Sequence, residues 1–304
     1  MINFDFLRSS SKSILMVISM ALGVLFYYPL VTLDQYVAGW ITPIVLAFML
    51  FISCCGVDFT KMKISPQHLI LLGVQMLFSI CVFVLTLPLD SDVAGGLLVC
   101  SLTPVAIASV VMVKLMGAKV DSIITFSLLS NILAAIYLPF ILSLLCGGAT
   151  STWDILQMVM PVIIIPMVLS QVFRLFALDL AVSVSKQSGL SLALWLMLIL
   201  FIYARTTKVF ISSYNDIQPM TLSMLMVGSM VICVAQFLVG KIIGAKYGDG
   251  VTGAQALGQK NTILAVWLAS SFISPIAALA PTAYIIWQNV INTYRIYHHE
   301  STRV

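Results

Sequence analysis

Long apolar segments follow one another from Ile14 to Ile296, with only short polar connections between them. About 20 apolar residues span a bilayer as a helix. By that length the sequence predicts ten transmembrane helices, at 13–30, 39–57, 68–88, 93–117, 122–146, 154–174, 189–205, 219–240, 251–272 and 275–296. Only 9% of the residues are charged, whereas a soluble domain has roughly 25%. We therefore predict an all-α integral membrane protein, with residues 1–304 forming a single membrane domain.

Two less regular segments bear on this number of spans. The first predicted helix follows Arg8 and Lys12, as the apolar part of a signal peptide does. It is longer than such a segment, and no small-x-small cleavage site follows it, so we expect an uncleaved first helix. The mixed stretch from Arg174 to Gly189 predicts an interfacial helix between the sixth and seventh spans.

The basic residues provide a test of the number of spans. With the N-terminus in the cytoplasm, all but three of the 15 basic residues fall in cytoplasmic segments. Arg205 and Lys208 then fall in an outer loop, and Lys260 falls within a span. This is the positive-inside bias of membrane proteins. It predicts ten spans with both termini in the cytoplasm, and the short loops favour a bacterial inner (plasma) membrane.

Faint internal similarities indicate two inverted repeats, one over residues 13–146 and the other over residues 154–296. Gln75 in the third span has a counterpart in Gln236 of the eighth span, in similar apolar surroundings. Five helices in each repeat give the second repeat the opposite orientation. Secondary transporters are commonly built in this way, with the binding site near the membrane midplane at broken helices.

Two predicted spans carry features that are unusual inside a membrane. In the fourth, Thr103-Pro104 either kinks the helix or breaks it at a site, because proline removes a backbone hydrogen bond. In the ninth, polar side chains crowd the middle of the span: Gln255, Gln259, Lys260, Asn261 and Thr262. Such groups are costly in hydrocarbon and usually face a pathway or the interior of the bundle. We therefore predict a binding site at the ninth span.

Lys260 stands out because no acidic residue matches it. All 11 acidic residues fall in predicted loops or at the ends of spans. A buried lysine without a carboxylate either gives up its proton or binds an anion, because an isolated charge is unfavourable in a low dielectric. The alternative is a structural lysine that backbone carbonyls or neighbouring amides hold in place.

Several other classes of function lack their motifs. The chain has no HExxH, GxSxG or P-loop and no aspartate-rich diphosphate motif, so we expect no enzymatic activity. The six cysteines form no CxxC pair, and His68 is interpreted as a solvated loop residue, so we expect no cofactor and no metal site. The net charge of +4 is small and dispersed, which does not favour nucleic acid as a partner.

The fourth and ninth spans together resemble the bile acid:sodium symporter family. Residues 100–111 match the family's helix-four segment, with Pro104 and Ser109 in agreement. In the ninth span, Gly258 and Asn261 agree with the family pattern Glu-x-Gly-x-Gln-Asn.

The resemblance covers about residues 45–285 and implies both a fold and a site. Members of the family have ten helices in two inverted five-helix repeats, and the broken helices four and nine cross near two sodium sites. It implies that Gln75 and Ser127 lie at sodium-binding positions. It also implies that a panel of helices 1, 2, 6 and 7 rocks against a core of helices 3 to 5 and 8 to 10.

The sequence departs from the family at the cation site itself. Val110 replaces an asparagine, Ala256 replaces the bridging glutamate, and Lys260 replaces a glutamine. Because sodium in lipid needs several oxygen ligands and a compensating negative charge, we expect sodium coupling to be lost. The hypothesis is that the Lys260 ammonium supplies the positive charge that sodium would bring, and that the coupling ion is a proton or absent.

The resulting prediction is secondary transport of a small or amphipathic organic anion, attracted by Lys260 and by the N-termini of half-helices. One alternative is a related ten-helix exporter of metalloid oxyanions, for which Cys100 is the candidate thiol. Another is a membrane receptor that transports nothing, although polar groups at membrane depth weigh against it.

Overall fold

Helices make up nearly all of the protein, as seen in a computed structural model that describes residues 4–106, 108–145, 151–213 and 217–301. The helices are α1 (Phe4–Leu25), α2 (Tyr27–Tyr36), α3 (Ile41–Cys55), α4 (Pro66–Thr86), α5 (Ser91–Leu102), α6 (Ala108–Leu115), α7 (Val120–Leu145), α8 (Thr152–Phe176), α9 (Leu178–Ser185), α10 (Ser188–Ser213), α11 (Pro219–Lys246), α12 (Gly250–Gly258), α13 (Thr262–Phe272) and α14 (Leu279–Ser301). A short 3-10 helix, Phe59–Lys61, connects α3 to α4. The predicted all-α class is confirmed over these residues.

Among the described residues, five helices are long and apolar enough to cross a membrane. They are Pro66–Thr86, Val120–Leu144, Thr152–Phe176, Gly189–Ser212 and Pro219–Lys246. A sixth is added if α1 and α2, which meet at 81°, count as one bent span. These helices indicate a multi-pass membrane protein. The ten spans and the inverted repeat stay predictions, because α3, α5 and α13 are apolar but shorter than a full span.

The first predicted span, 13–30, is divided by a sharp bend. Helix α1 ends at Leu25, and α2 leaves it at 81°. Pro29 explains the division, because its missing N–H and its ring do not allow a continuous helix through this point. Pro29 is tolerated in the first turn of α2, because the N–H groups of a first turn have no partner within the helix. The exposed Tyr28, Tyr36 and Trp40 are residue types that favour the membrane–water interface.

Asp34 of α2 and Arg205 of α10 form an ion pair. Asp34 Oδ2 lies 2.7 Å from Arg205 Nε, and the Asp34 side chain is only 1% exposed. The predicted first span stops at residue 30, but Asp34 lies in the last turn of α2, which packs against α10 and buries it. Arg205 likewise lies within α10, which continues to Ser213, and not in an outer loop.

Replacing Arg205 with methionine is expected to destabilise the protein by about 3 kcal/mol, because it leaves the Asp34 carboxylate buried without its partner. The measurement is thermal unfolding of the purified protein in detergent. Lys208→Met is the control, since Lys208 is exposed on the same helix and its loss is expected to have little effect. The double variant Asp34→Asn/Arg205→Met should recover much of the stability. Equal stabilities of the two single variants would contradict this account of the pair.

The helices pack in two groups. In one, α1 lies against α10, and α3 lies against both α8 and α10. In the other, α4 lies against α5, and α11 lies against α5, α12 and α14. Helix α7 contacts both groups, through α8 and through α12. The predicted interfacial segment between spans six and seven forms the short helix α9.

Three glycines allow the backbones of α11 and α12 to touch. Gly240 and Gly244 of α11 face Gly253 of α12, and a Cβ on either Gly240 or Gly253 would collide with the carbonyl oxygen of the other. Small residues permit this close approach of membrane helices. Beyond them, Gly258 packs directly on the ring of Phe237. These contacts fix α12 closely against α11.

Candidate functional site

The predicted fourth span is interrupted between α5 and α6. Helix α5 ends at Leu102, and Thr103 adopts φ −57° and ψ 147°, the extended conformation favoured before a proline. Helical conformation resumes at Ala108. The sequence leaves open whether Thr103-Pro104 makes a kink or a break. The structure has a break, with Pro104 inside it.

The predicted ninth span is interrupted in the same way between α12 and α13. Gln259 leaves the helix with φ −88° and ψ 85°. Asn261 then caps α13, because its Oδ1 accepts a hydrogen bond from the backbone N–H of Leu264 at 3.2 Å. Thr262 is the first residue of α13. Lys260 therefore lies between two half-helices and not within one continuous helix.

The two breaks pair with each other through their backbones. Val105 and Lys260 form an antiparallel bridge. The Ala106 N–H donates to the Gln259 carbonyl at 2.8 Å, and the Asn261 N–H donates to the Pro104 carbonyl at 2.9 Å. Backbone groups that leave a helix at membrane depth must find partners inside the protein. Each break supplies those partners for the other, so the crossing is formed by both segments together.

Side chains from three neighbouring helices satisfy the carbonyl groups at the end of α5. Gln75 Nε2 donates to the Leu102 carbonyl at 2.7 Å and to that of Thr103 at 3.2 Å. The Tyr137 hydroxyl of α7 also donates to the Leu102 carbonyl, at 2.7 Å. Gln236 of α11 donates to the Ser101 carbonyl at 3.0 Å. The predicted site residues Gln75 and Gln236 thus hold the broken helix in place.

A second set of side chains surrounds the other break. The Tyr284 hydroxyl of α14 contacts both the Gly258 carbonyl, at 2.9 Å, and Gln236 Oε1, at 3.1 Å. Gln288 Oε1 accepts from the Lys260 backbone N–H at 3.2 Å. The side-chain nitrogen of Gln288, Nε2, lies 3.4 Å from the hydroxyl of Thr262. Helix α14 therefore fixes this break from one side.

Asn292 of α14 connects the two predicted glutamines of α12. Its Oδ1 accepts from Gln255 Nε2 at 2.8 Å, and its own amide donates to Gln259 Oε1. All three side chains are buried. In a low dielectric, such hydrogen bonds stabilise one arrangement of the helices, although Gln255 Oε1 has no partner among the described residues. Gln255 and Gln259 are therefore part of a polar network that positions the break.

The Lys260 side chain is 1% exposed, and its Nζ has no hydrogen-bond partner within the part of the chain that the structure describes. The titratable groups around it are the thiols of Cys100 on α5 and Cys233 on α11. None of the ion pairs found among the described residues includes Lys260. Among the described residues, no carbonyl or amide binds Nζ as the alternative of a structural lysine requires.

Another group of buried polar atoms lies near the first break. In the described residues, Gln75 Oε1, Ser109 Oγ, Ser127 Oγ and Asn131 Oδ1 have no hydrogen-bond partner. Ser127 and Val110 also border a small cavity of about 10 Å³, which has room for about one water molecule.

Such oxygens suit water or a hard cation, but they are all neutral. The carboxylate that the family resemblance implies is replaced by Ala256, which is fully buried. A desolvated sodium ion would therefore lack a compensating charge at this position. The side chains present do not fit a sodium site of the kind that the resemblance implies.

The structure brings eight of the predicted site residues to the crossing: Gln75, Pro104, Gln236, Gln255, Gln259, Lys260, Asn261 and Thr262. Ser109 and Ser127 lie on α6 and α7, and Ser127 faces the cavity between α3, α6 and α7. The Lys260 ammonium instead has its neighbours on α5 and α11. The two predicted serines and the lysine therefore lie in different helix neighbourhoods.

Sequence reasoning missed the residues that support the crossing from α7 and α14: Ser130, Asn131, Tyr137, Tyr284, Gln288 and Asn292. The amide side chains carry a usable signal, because a polar group inside an apolar segment usually has a partner. The two tyrosines carry no such signal, since a tyrosine in an apolar helix can equally lie at the membrane–water interface. His68 was also misjudged: it is buried, and Nε2 lies 2.9 Å from Ser122 Oγ.

Comparison with known protein families finds no family model that matches the chain, and comparison with curated proteins finds no match either.

Proposed function

We propose that this protein is a secondary transporter that moves a small or amphipathic organic anion across the membrane by alternating access. The observation that carries the proposal is the buried Lys260 Nζ, for which the described residues offer no hydrogen-bond partner, on the segment where two broken helices cross. We further propose that the protein is a divergent member of the bile acid:sodium symporter family that works without sodium.

The charge of Lys260 supports the part of the proposal that excludes sodium. A transporter that uses sodium to attract an anion brings a positive charge into a site of low dielectric. Here the group that carries the positive charge is a side chain of the protein itself, while Val110 and Ala256 take the places of two expected sodium ligands. Two opposite unit charges about 6 Å apart attract by about 2.8 kcal/mol at an effective dielectric constant of 20. One lysine therefore supplies an attraction sufficient to select an anion.

The half-helices support a negatively charged substrate. Helices α6 and α13 both begin at the crossing, at Ala108 and Thr262. The N-terminus of a helix carries about half a positive charge and unsatisfied N–H groups, which favour an anion. These two termini add to the preference for a carboxylate over a neutral or cationic solute at the crossing.

The packing in two groups supports the mode of transport. We propose that the group containing α1, α3, α8 and α10 moves against the group containing α4, α5 and α11 to α14. The crossing belongs to the second group, and a rigid site of this kind is exposed to each side in turn when the groups rock. We propose an inner membrane location with both termini in the cytoplasm, as the distribution of basic residues indicates.

The test is the thermal stability of the purified protein with a panel of carboxylates, from pyruvate to cholate, each with and without sodium. A ligand that binds only the folded state raises the Tm. At saturating concentration we expect at least one carboxylate to raise the Tm by about 5 °C, and sodium alone to raise it no more than choline chloride at the same ionic strength.

Two results would count against the proposal in different ways. A rise in Tm with sodium that choline does not reproduce would mean that a cation site persists without its carboxylate. No rise with any carboxylate would remove the organic anion as substrate. Uptake of a radiolabelled carboxylate into proteoliposomes, with sodium replaced by choline, checks the same expectation during transport.

A further inference from the structure

The charge of Lys260 has to be balanced when the protein is empty as well as when an anion is bound. Its side chain is 1% exposed, and Nζ has no hydrogen-bond acceptor in the described ranges. An isolated ammonium in such a place is strongly unfavourable, and a lysine relieves this by giving up its proton. A bound carboxylate removes the same cost by pairing with the ammonium.

The groups around Lys260 do not change this balance. The titratable neighbours are Cys100 on α5 and Cys233 on α11, and Tyr284 of α14 lies next to Cys233. Tyr137 of α7 donates its hydroxyl to the Leu102 carbonyl. Thiols and phenols are neutral near pH 7, so none of these groups compensates the ammonium.

The charged residues on the surrounding helices are engaged elsewhere. Arg295 of α14 lies over the Phe237 ring, 5.6 Å from its centroid, and its positive charge disfavours a second cation nearby. Asp249 precedes α12 and accepts from Thr252 Oγ1 at 2.6 Å and from the Lys119 backbone N–H at 3.2 Å. The carboxylate of Asp249 is therefore committed to the start of α12 and not to the break at its end.

We propose that Lys260 is the proton-binding site of the transporter, and that it takes up a proton whenever an organic anion binds. This inference rests on the proposed function and deepens it by naming the coupling ion. In the empty protein the Lys260 amine is neutral. A proton from the aqueous phase forms an N–H bond at Nζ as the carboxylate enters, and the same bond breaks on the other side as the carboxylate leaves.

The charge balance predicts the stoichiometry. For a monovalent carboxylate, one proton and one negative charge cross together, so that a cycle moves no net charge. A pH gradient then drives accumulation of the anion, whereas a membrane potential does not. This behaviour distinguishes a proton-binding lysine from a permanently charged one, because a permanently charged lysine would carry the anion without a proton.

The experiment uses the purified full chain in proteoliposomes that contain a pH-sensitive dye, with radiolabelled pyruvate and cholate as probes. We expect uptake of a probe to acidify the interior by about one proton for each anion. We expect a potential imposed with potassium and valinomycin to leave the rate unchanged. Calorimetric titration of the protein in two buffers of different ionisation enthalpy should give the same proton uptake on binding alone.

Lys260→Arg provides the matched variant, because arginine keeps the positive charge but does not give up a proton in proteins. It is expected to bind the same probe with no uptake of protons. If this variant does not fold, the calorimetric titration of the wild type still decides the question.

Uptake or binding of a probe without protons in the wild type would overturn the proton proposal and leave anion transport standing. Uptake that responds to the potential and not to the pH gradient would do the same. If neither probe binds nor enters the vesicles, the proposed function and the proton proposal fail together.

Discussion

Replacing Lys260 with glutamine is expected to weaken anion binding about 100-fold. The loss corresponds to about 2.8 kcal/mol, the attraction between two unit charges about 6 Å apart at an effective dielectric constant of 20, since each 1.4 kcal/mol is a factor of ten. The crossing itself should remain, because Lys260 joins it through its backbone, by the bridge to Val105 and the hydrogen bond to Gln288. The variant should therefore fold and bind the anion more weakly.

The measurement compares the anion concentration that gives half of the maximal rise in Tm for wild type and variant. Lys241→Gln is the matched control, because Lys241 is exposed near the end of α11 and its loss removes the same charge from the surface. We expect Lys241→Gln to bind as the wild type does. In the absence of anions, Lys260→Gln should be about as stable as the wild type, since the glutamine amide and the neutral lysine amine both leave no charge to bury.

Unchanged anion affinity in a folded Lys260→Gln would contradict the role given to this lysine. A variant that loses stability and affinity together would point instead to a structural lysine. The two measurements on the same sample separate these results.

Replacing Gly253 with valine is expected to destabilise the protein by about 3 kcal/mol and to displace α12 from α11. Even the first carbon of the new side chain would collide with the carbonyl oxygen of Gly240 and with the backbone of Gly244. Backbone atoms in a helix cannot rotate away as a side chain can, so the helices must separate. Gly253→Ala should show a smaller loss of the same kind.

The control for this prediction is Gly73, a glycine in α4 that has open space where its Cβ would be. Gly73→Ala is expected to leave stability unchanged or to raise it by about 0.5 to 1 kcal/mol, because alanine is the better helix residue. Thermal unfolding in detergent, with anion binding measured on whatever protein folds, checks both glycines. Equal effects at Gly253 and Gly73 would contradict the close contact between α11 and α12.

The two breaks show which features of the site can be predicted from the local sequence. Proline after threonine limits Thr103 to extended conformations, so an interruption of the fourth span could be expected from two residues. Asn261 is likewise a residue type that begins helices. Neither feature reveals that the two interruptions pair with each other, because the bonds join Pro104 to Asn261 and Ala106 to Gln259, far apart along the chain.

The acidic residues show the opposite case. Their position in apparent loops was read from hydropathy, which averages over neighbours along the chain. Asp34 is buried because α2 turns by 81° and places it against Arg205 of α10. Hydropathy takes no account of a partner in a helix more than a hundred residues away. It therefore placed both Asp34 and Arg205 in loops.

The sequence by itself determined that this protein is helical, that it belongs in a membrane, and that a lysine lies deep within it. Those conclusions follow from composition and from the length of apolar segments, which act locally on the chain. The family resemblance implied that helices four and nine are broken and cross, but only the tertiary structure decided which backbone groups of the two breaks pair with each other. It also decided that the Lys260 side chain has thiols around it, and that no carboxylate among the described residues pairs with it. Burial and pairing depend on which helices meet, and backbone groups released at membrane depth must find partners wherever the fold brings them.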